Sequence, residues 1–228
     1  MIEQQKILKN HRALAILLMT VGSILISFNG LVLRNIESAD NWTVIFYRST
    51  AFSAAIFLYL FSKYKTRVFS QMKGVNLSGW LAGSVLGVSN VCFILSMTST
   101  TVANTVFTIS LIPFITALLA LFFLGEKLAR ITVYSMIVAF FGVLIMFYGS
   151  LQLGEIWGNL LALFTAISFS IFAIVMRANK SMDMLPCVLL SGLIPMMIAS
   201  AIKGGALQIS FHDIILCFLL GGIMSGFV

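Results

Sequence analysis

Arg48 is the one charged residue well inside an apolar run. It follows Trp42 by roughly two helical turns, about 9 Å at the helical rise. A charge at membrane depth costs at least ~2.5 kcal/mol and normally faces a cavity, a partner or water. Two chemistries suit such a guanidinium. It can line a path and meet a carboxylate there, or it can run its stem along the lipid and reach the outer head groups.

The other candidates are uncharged. Asn29, Asn90, Asn104, Thr105, Thr108 and Ser110 fall within or at the ends of apolar runs. Asn104, Thr108 and Leu111 share one helix face by their spacing. Asn90 lies mid-run, where an amide must find partners in neighbouring helices or in cavity water. These groups serve either as interhelical hydrogen bonds, worth on average only ~0.6 kcal/mol each, or as the polar lining of a substrate path. Pro113 has no N–H, so it frees the carbonyl one turn earlier, around Ile109, and bends its helix.

Other chemistry is missing from these runs. None has an Asp or Glu at midplane depth, so no proton relay is visible. Hydrolysis or group transfer would need carboxylates, histidine or metal, and no catalytic residue is assigned. Cys92, Cys187 and Cys217 sit in apolar runs without CxxC spacing and read as small buried hydrophobes. His11 and His212 lie outside these runs and have no partner Cys or second His nearby. No metal or cofactor is expected.

The elements that position these residues follow from composition. The chain is 60% hydrophobic and 9% charged over 228 residues, against about half apolar and a quarter charged in soluble domains. Lipid must be part of its solvent. Although the pI is 9.6, the basic residues occupy short loops between apolar runs, which is a membrane pattern and not a nucleic-acid one. Runs long enough to cross a bilayer lie near 13–33, 44–62, 78–97, 102–124, 131–148, 157–176 and 186–202, and a partial eighth begins near 213. The first is too long and too polar at its end for a cleaved signal peptide.

Charge sets the sidedness. Eleven Lys and Arg residues fall in one set of alternate loops (Lys6, Lys9, Arg12, Lys63, Lys65, Arg67, Lys73, Lys127, Arg130, Arg177 and Lys180) and two, Arg34 and Lys203, in the other. By the positive-inside rule the N-terminus is cytoplasmic. Trp42 and Trp157 then fall at the outer interface.

The segment Ser27 to Arg34 closes the first run, and the similar Ser170 to Arg177 closes the sixth. Five runs separate their starts. An odd shift inverts the second copy, the architecture of secondary transporters with a midplane site between the halves. Gly79, Gly83 and Gly87 form a GxxxG ladder on the third run, and Gly222 and Gly226 repeat its spacing on the eighth.

Val102-Ala103-Asn104 followed by Ser110-Leu111-Ile112-Pro113-Phe114 and on through Phe123-Leu124-Gly125-Glu126-Lys127-Leu128 resembles the fourth-helix signature of EamA-type carriers of the drug/metabolite transporter superfamily. Ile137 to Gly142 resembles the fifth helix, and Phe46-Tyr47-Arg48 the start of the second. The likeness extends over essentially the whole chain. It implies an all-α membrane protein with ten helices in two inverted five-helix repeats, moving small metabolites by alternating access without an enzymatic cofactor. Glu126 matches the family's helix-end LGE element and is expected to pair with Lys127 or Arg130.

On this reading residues 1–150 are the first repeat and 151–228 an incomplete second one, with about 7.5 of ten helices present. The chain would then be a fragment unable to transport alone, with a near-complete five-helix half beside an open gap. The expected partners are the lipid bilayer of a bacterial inner membrane and a small amphipathic substrate, such as an amino acid. Export suits the resemblance at least as well as import. A homodimer is compatible with the sequence. A receptor or membrane scaffold is the alternative reading.

Overall fold

The computed structural model describes residues 16–17, 20–65, 68, 72, 74–153, 155–179, 183–205 and 207–226, with the backbone alone for 149–153. Lys6, Lys9, His11, Arg12, Arg67, Lys73 and Lys180 lie outside the described residues. The described chain is helical. In chain order it comprises α1 (Thr20–Arg34), α2 (Asn41–Tyr64), α3 (Leu77–Ser99), α4 (Val102–Leu124), α5 (Arg130–Leu153), α6 (Ile156–Ala178), α7 (Leu185–Lys203) and α8, which is α-helical over Phe211–Phe218. Helices α2 to α7 are long and apolar enough to cross a membrane; α1 and α8 are shorter in their described parts.

Local chemistry sets the ends. The Asn76, Thr101 and Ser210 side chains accept from the N–H groups of Gly79, Asn104 and Asp213, capping α3, α4 and α8. Gly125 and Gly204 close α4 and α7 with φ of 66° and 56°, a left-handed turn that glycine adopts without steric cost.

Two helices depart from the regular form. The sequence predicts a bend at Pro113; instead α4 breaks at Ser110 and Leu111 into Val102–Ile109 and Ile112–Leu124, with Pro113 in the first turn of the second piece. That position tolerates proline because its N–H would have no helical partner. The second departure is in α8, which widens into a π-helix over Leu219–Ser225.

The 1–150 part does not stand apart as a separate five-helix half, because its helices pack along those of the 151–228 part. The most extensive helix contacts are α3 with α6, α2 with α7 and α3 with α7, and α2 also packs along α8. Each joins the 1–150 part to the 151–228 part, whereas α2 and α3 touch each other little. Small residues set this pattern. A Cβ on Gly83 would lie 2.6 Å from the Cys187 carbonyl oxygen, and one on Gly87 2.8 Å from Ile194 Cβ, so the glycine ladder of α3 seats α7. On α8 the close approach is at Gly221, against the Arg48 carbonyl, and at Gly226, 2.8 Å from Ala55 Cβ, while Gly222 has only the Ala51 carbonyl at 4.0 Å. The i→i+5 register of the π-helix puts residues five apart on one face, displacing the predicted 222/226 pair.

Buried side chains form three clusters. Val32, Ile45, Ile94, Ala199 and Leu220 join α1, α2, α3, α7 and α8 at one end; Leu86, Phe172 and Cys187 join α3, α6 and α7, and Leu60 with Leu189 joins α2 and α7, at the other. By contrast α4 and α5 expose their apolar side chains almost everywhere, Phe123 and Ile145 by three quarters. An apolar exterior on that scale needs hydrocarbon around it.

Candidate functional site

Helices α2, α3, α7 and α8 enclose a small polar cavity lined by Arg48, Ser49, Phe52, Asn90, Ser191, Gly192 and Ser225. The space open to the centre of a water is ≈ 20 Å³, room for about one such molecule. Arg48 is buried and Asn90 half-buried, so two residues singled out from sequence meet at one site.

The guanidinium does not reach for the head groups. Its Nη2 donates to Ser225 Oγ at 3.2 Å, its Cζ lies 5.7 Å from the Phe93 ring centroid, and Nε has no partner among the described residues. Among the described residues Arg48 forms no salt bridge. The close approach of Gly221 to the Arg48 carbonyl places Ser225, one turn on, within reach. Across the cavity Asn90 Nδ2 donates to the Ser191 carbonyl at 3.3 Å, tying α3 to α7. The site is therefore a buried cation among hydroxyls and an amide.

The remaining candidates lie elsewhere. Asn29 is buried in α1, donating to the Ile26 carbonyl at 3.0 Å, and its own oxygen has no partner among the described residues. Asn104 faces the start of α6: its Nδ2 reaches Thr100 Oγ1 at 3.2 Å and Glu155 Oε2 at 3.1 Å. Thr108 is buried but returns its hydroxyl to the Asn104 carbonyl at 2.8 Å. Pro113 sits at the α4 break, where Ser170 Oγ donates to the adjoining Ile112 carbonyl at 3.2 Å. Glu126 pairs with Arg177 at 2.7 and 3.0 Å, bridging α4 and α6, in place of the expected Lys127 or Arg130.

Ser191, Ser225, Ser49 and Phe93 were not among the sequence candidates. Ser191 carried a usable signal, because it lies 143 positions after Arg48, the spacing of Arg34 and Arg177. Asp213 was missed too. It is buried in the first turn of α8, accepting from the Ser38 N–H at 2.8 Å and from the Ser38 hydroxyl.

Ion pairs occur at the helix ends. Lys63 lies 3.1 Å from Asp183, and Lys203 3.0 Å from Asp40. Burial would raise the Asp40 pKa, but the Thr43 hydroxyl and Lys203 outweigh it and hold the carboxyl below its ordinary range.

Residues 13–148 match the EamA-like transporter family. That is more than half of the chain. The protein belongs to the EamA-like transporter family. No curated protein and no solved structure gives a significant match. Membership, with six apolar helices of spanning length among the described residues, makes it a multi-pass integral membrane transporter. The Arg48 cavity is a polar cavity between the two parts of the chain.

Proposed function

We propose that this protein is a secondary carrier that moves a small, carboxylate-bearing organic metabolite of the amino-acid type by alternating access, its halves related as inverted repeats. The observation that carries the reading is the position of the cavity. Arg48 and Ser49 on α2 face Ser191 and Gly192 on α7, and each pair is 143 positions apart. The same offset separates Arg34 from Arg177, Asp40 from Asp183, Gly79 from Gly222 and Gly83 from Gly226. Helices α2 and α7 run antiparallel, as an inverted pair must. A cavity between equivalent positions of two repeats is where a midplane substrate site belongs.

Helix-end contacts support the same symmetry. The α1–α2 loop is tied to the start of α8 through Ser38 and Asp213, and the residue after α6, Asn179, to the cap of α3 through Asn76 at 2.9 Å. Arg48 supports the carboxylate part of this reading. A buried guanidinium with a free Nε favours a carboxylate, which can accept two of its N–H groups. The loop charges support a cytoplasmic N-terminus, and the membrane we assign is a bacterial inner membrane. The family match favours transport over the receptor or scaffold alternative.

The test is an untargeted comparison of metabolites released by and retained in cells with and without the full-length protein. The reading expects a small set of carboxylate-bearing compounds to change. A response confined to inorganic ions would refute it.

A further inference from the structure

Helices α2 and α7 are joined at both ends by ion pairs of reciprocal construction. At one face Lys63, in the last turn of α2, lies 3.1 Å from Asp183, just before α7. At the other, Lys203, the last residue of α7, lies 3.0 Å from Asp40, the N-cap of α2. Each pair therefore takes its cation from the end of one helix and its anion from the start of the other. The two aspartates are 143 positions apart, the offset of the cavity-lining residues.

Each carboxylate has a second support on α2. Thr43 Oγ1 donates to Asp40 at 2.6 Å, and the Tyr64 hydroxyl donates to Asp183, whose other oxygen accepts from the Leu185 N–H at 3.0 Å. The cavity lies between the pairs, with Arg48 about 12 Å along α2 from Asp40 and about 22 Å from Lys63 at the helical rise. Opening α2 from α7 at one end breaks one pair and spares the other. Both pairs are partly exposed, with side-chain exposures of 44% and 23% for Lys63 and Asp183 and 28% and 46% for Lys203 and Asp40. Exposed pairs are weak and screened by salt, a strength suited to a contact broken in every cycle.

We propose that these two ion pairs are the inner and outer latches of the carrier, so that this structure, with both closed, is its occluded state. The proposal rests on the alternating-access reading above. Releasing one latch tilts the equilibrium toward opening at that face and, because the halves rock about one site, away from opening at the other.

The test uses the full-length protein with Cys92, Cys187 and Cys217 replaced by alanine and a reporter thiol introduced by Ser49→Cys at the cavity. A membrane-impermeant maleimide is applied to each face in right-side-out and inside-out vesicles. Asp183→Asn is expected to raise labelling from the Lys63 face by about two- to fivefold, the scale of losing a weak exposed pair, and to lower it from the opposite face. Asp40→Asn is expected to do the reverse. The charge exchange Lys63→Asp with Asp183→Lys restores the original ratio, which separates a latch from general damage to the fold. Labelling that moves in the same direction in both variants, stays unchanged in both, or is not restored by the exchange overturns the latches. Should the reporter be reachable from a single face in every variant, alternating access itself fails; access from both faces with a fixed ratio removes the latches alone.

Discussion

Arg48 Nη2 lies 3.2 Å from Ser225 Oγ, so the buried cation of α2 is held by a neutral hydroxyl of α8. The hydroxyl orients the guanidinium without neutralising it, which leaves a directed positive charge within the bundle. Arg48→Gln is therefore expected to reduce transport by at least about tenfold, equivalent to ~1.4 kcal/mol. The yield of monodisperse protein in detergent should stay close to wild type, since no carboxylate partner is stranded. Arg48→Lys keeps the charge but loses the two-pronged donor geometry, and should fall between the two. A variant set that loses folded protein in parallel with activity would assign Arg48 to structure alone.

The glycine contacts predict opposite outcomes at two similar-looking positions. Gly83→Ala puts a methyl 2.6 Å from the Cys187 backbone oxygen, an overpacking expected to cost about 1–3 kcal/mol. Gly222→Ala meets nothing closer than 4.0 Å and should be tolerated. Thermal unfolding of the two variants in detergent makes the comparison. A lower melting temperature for Gly222→Ala than for Gly83→Ala would contradict the π-helical register of α8.

The Glu126–Arg177 bridge has both side chains 45% exposed. Exposed pairs contribute about 0–1 kcal/mol, so Glu126→Gln should shift stability within that range, with less effect at high salt. A loss of several kcal/mol would mean that the pair is shielded in the membrane.

Topology is tested by single cysteines at Lys65 and Asp40 on a background free of native cysteine. In intact cells the residue at 40 should react with an impermeant reagent from outside and the residue at 65 should not. The reverse pattern would invert the assigned orientation.

Much of the architecture was legible in the sequence, because hydropathy reports burial in lipid. The runs at 78–97 and 157–176 became Leu77–Ser99 and Ile156–Ala178. Hydropathy does not fix the rotation of a helix about its axis, so the partners of its polar residues stayed hidden. Asn104 faced Glu155 and not the Arg48 cavity, and Glu126 found Arg177 on another helix instead of its neighbours in sequence. The π-helix was hidden too, since Leu219–Ser225 looks like any apolar run and its wider turn moved the contact to Gly221. The Arg48–Ser191 relation was present in the repeat spacing, but only the folded chain put both residues on one cavity.

The central claim is that Arg48 binds the carboxylate of a transported metabolite. Its most direct measurement is exchange in proteoliposomes of the full-length protein, comparing a responding metabolite with its carboxamide in wild type and Arg48→Gln. The account predicts that wild type exchanges the acid at least about tenfold faster than the amide, and that Arg48→Gln loses this preference by slowing the acid. Equal exchange of acid and amide by wild type, or an unchanged preference in Arg48→Gln, would contradict it.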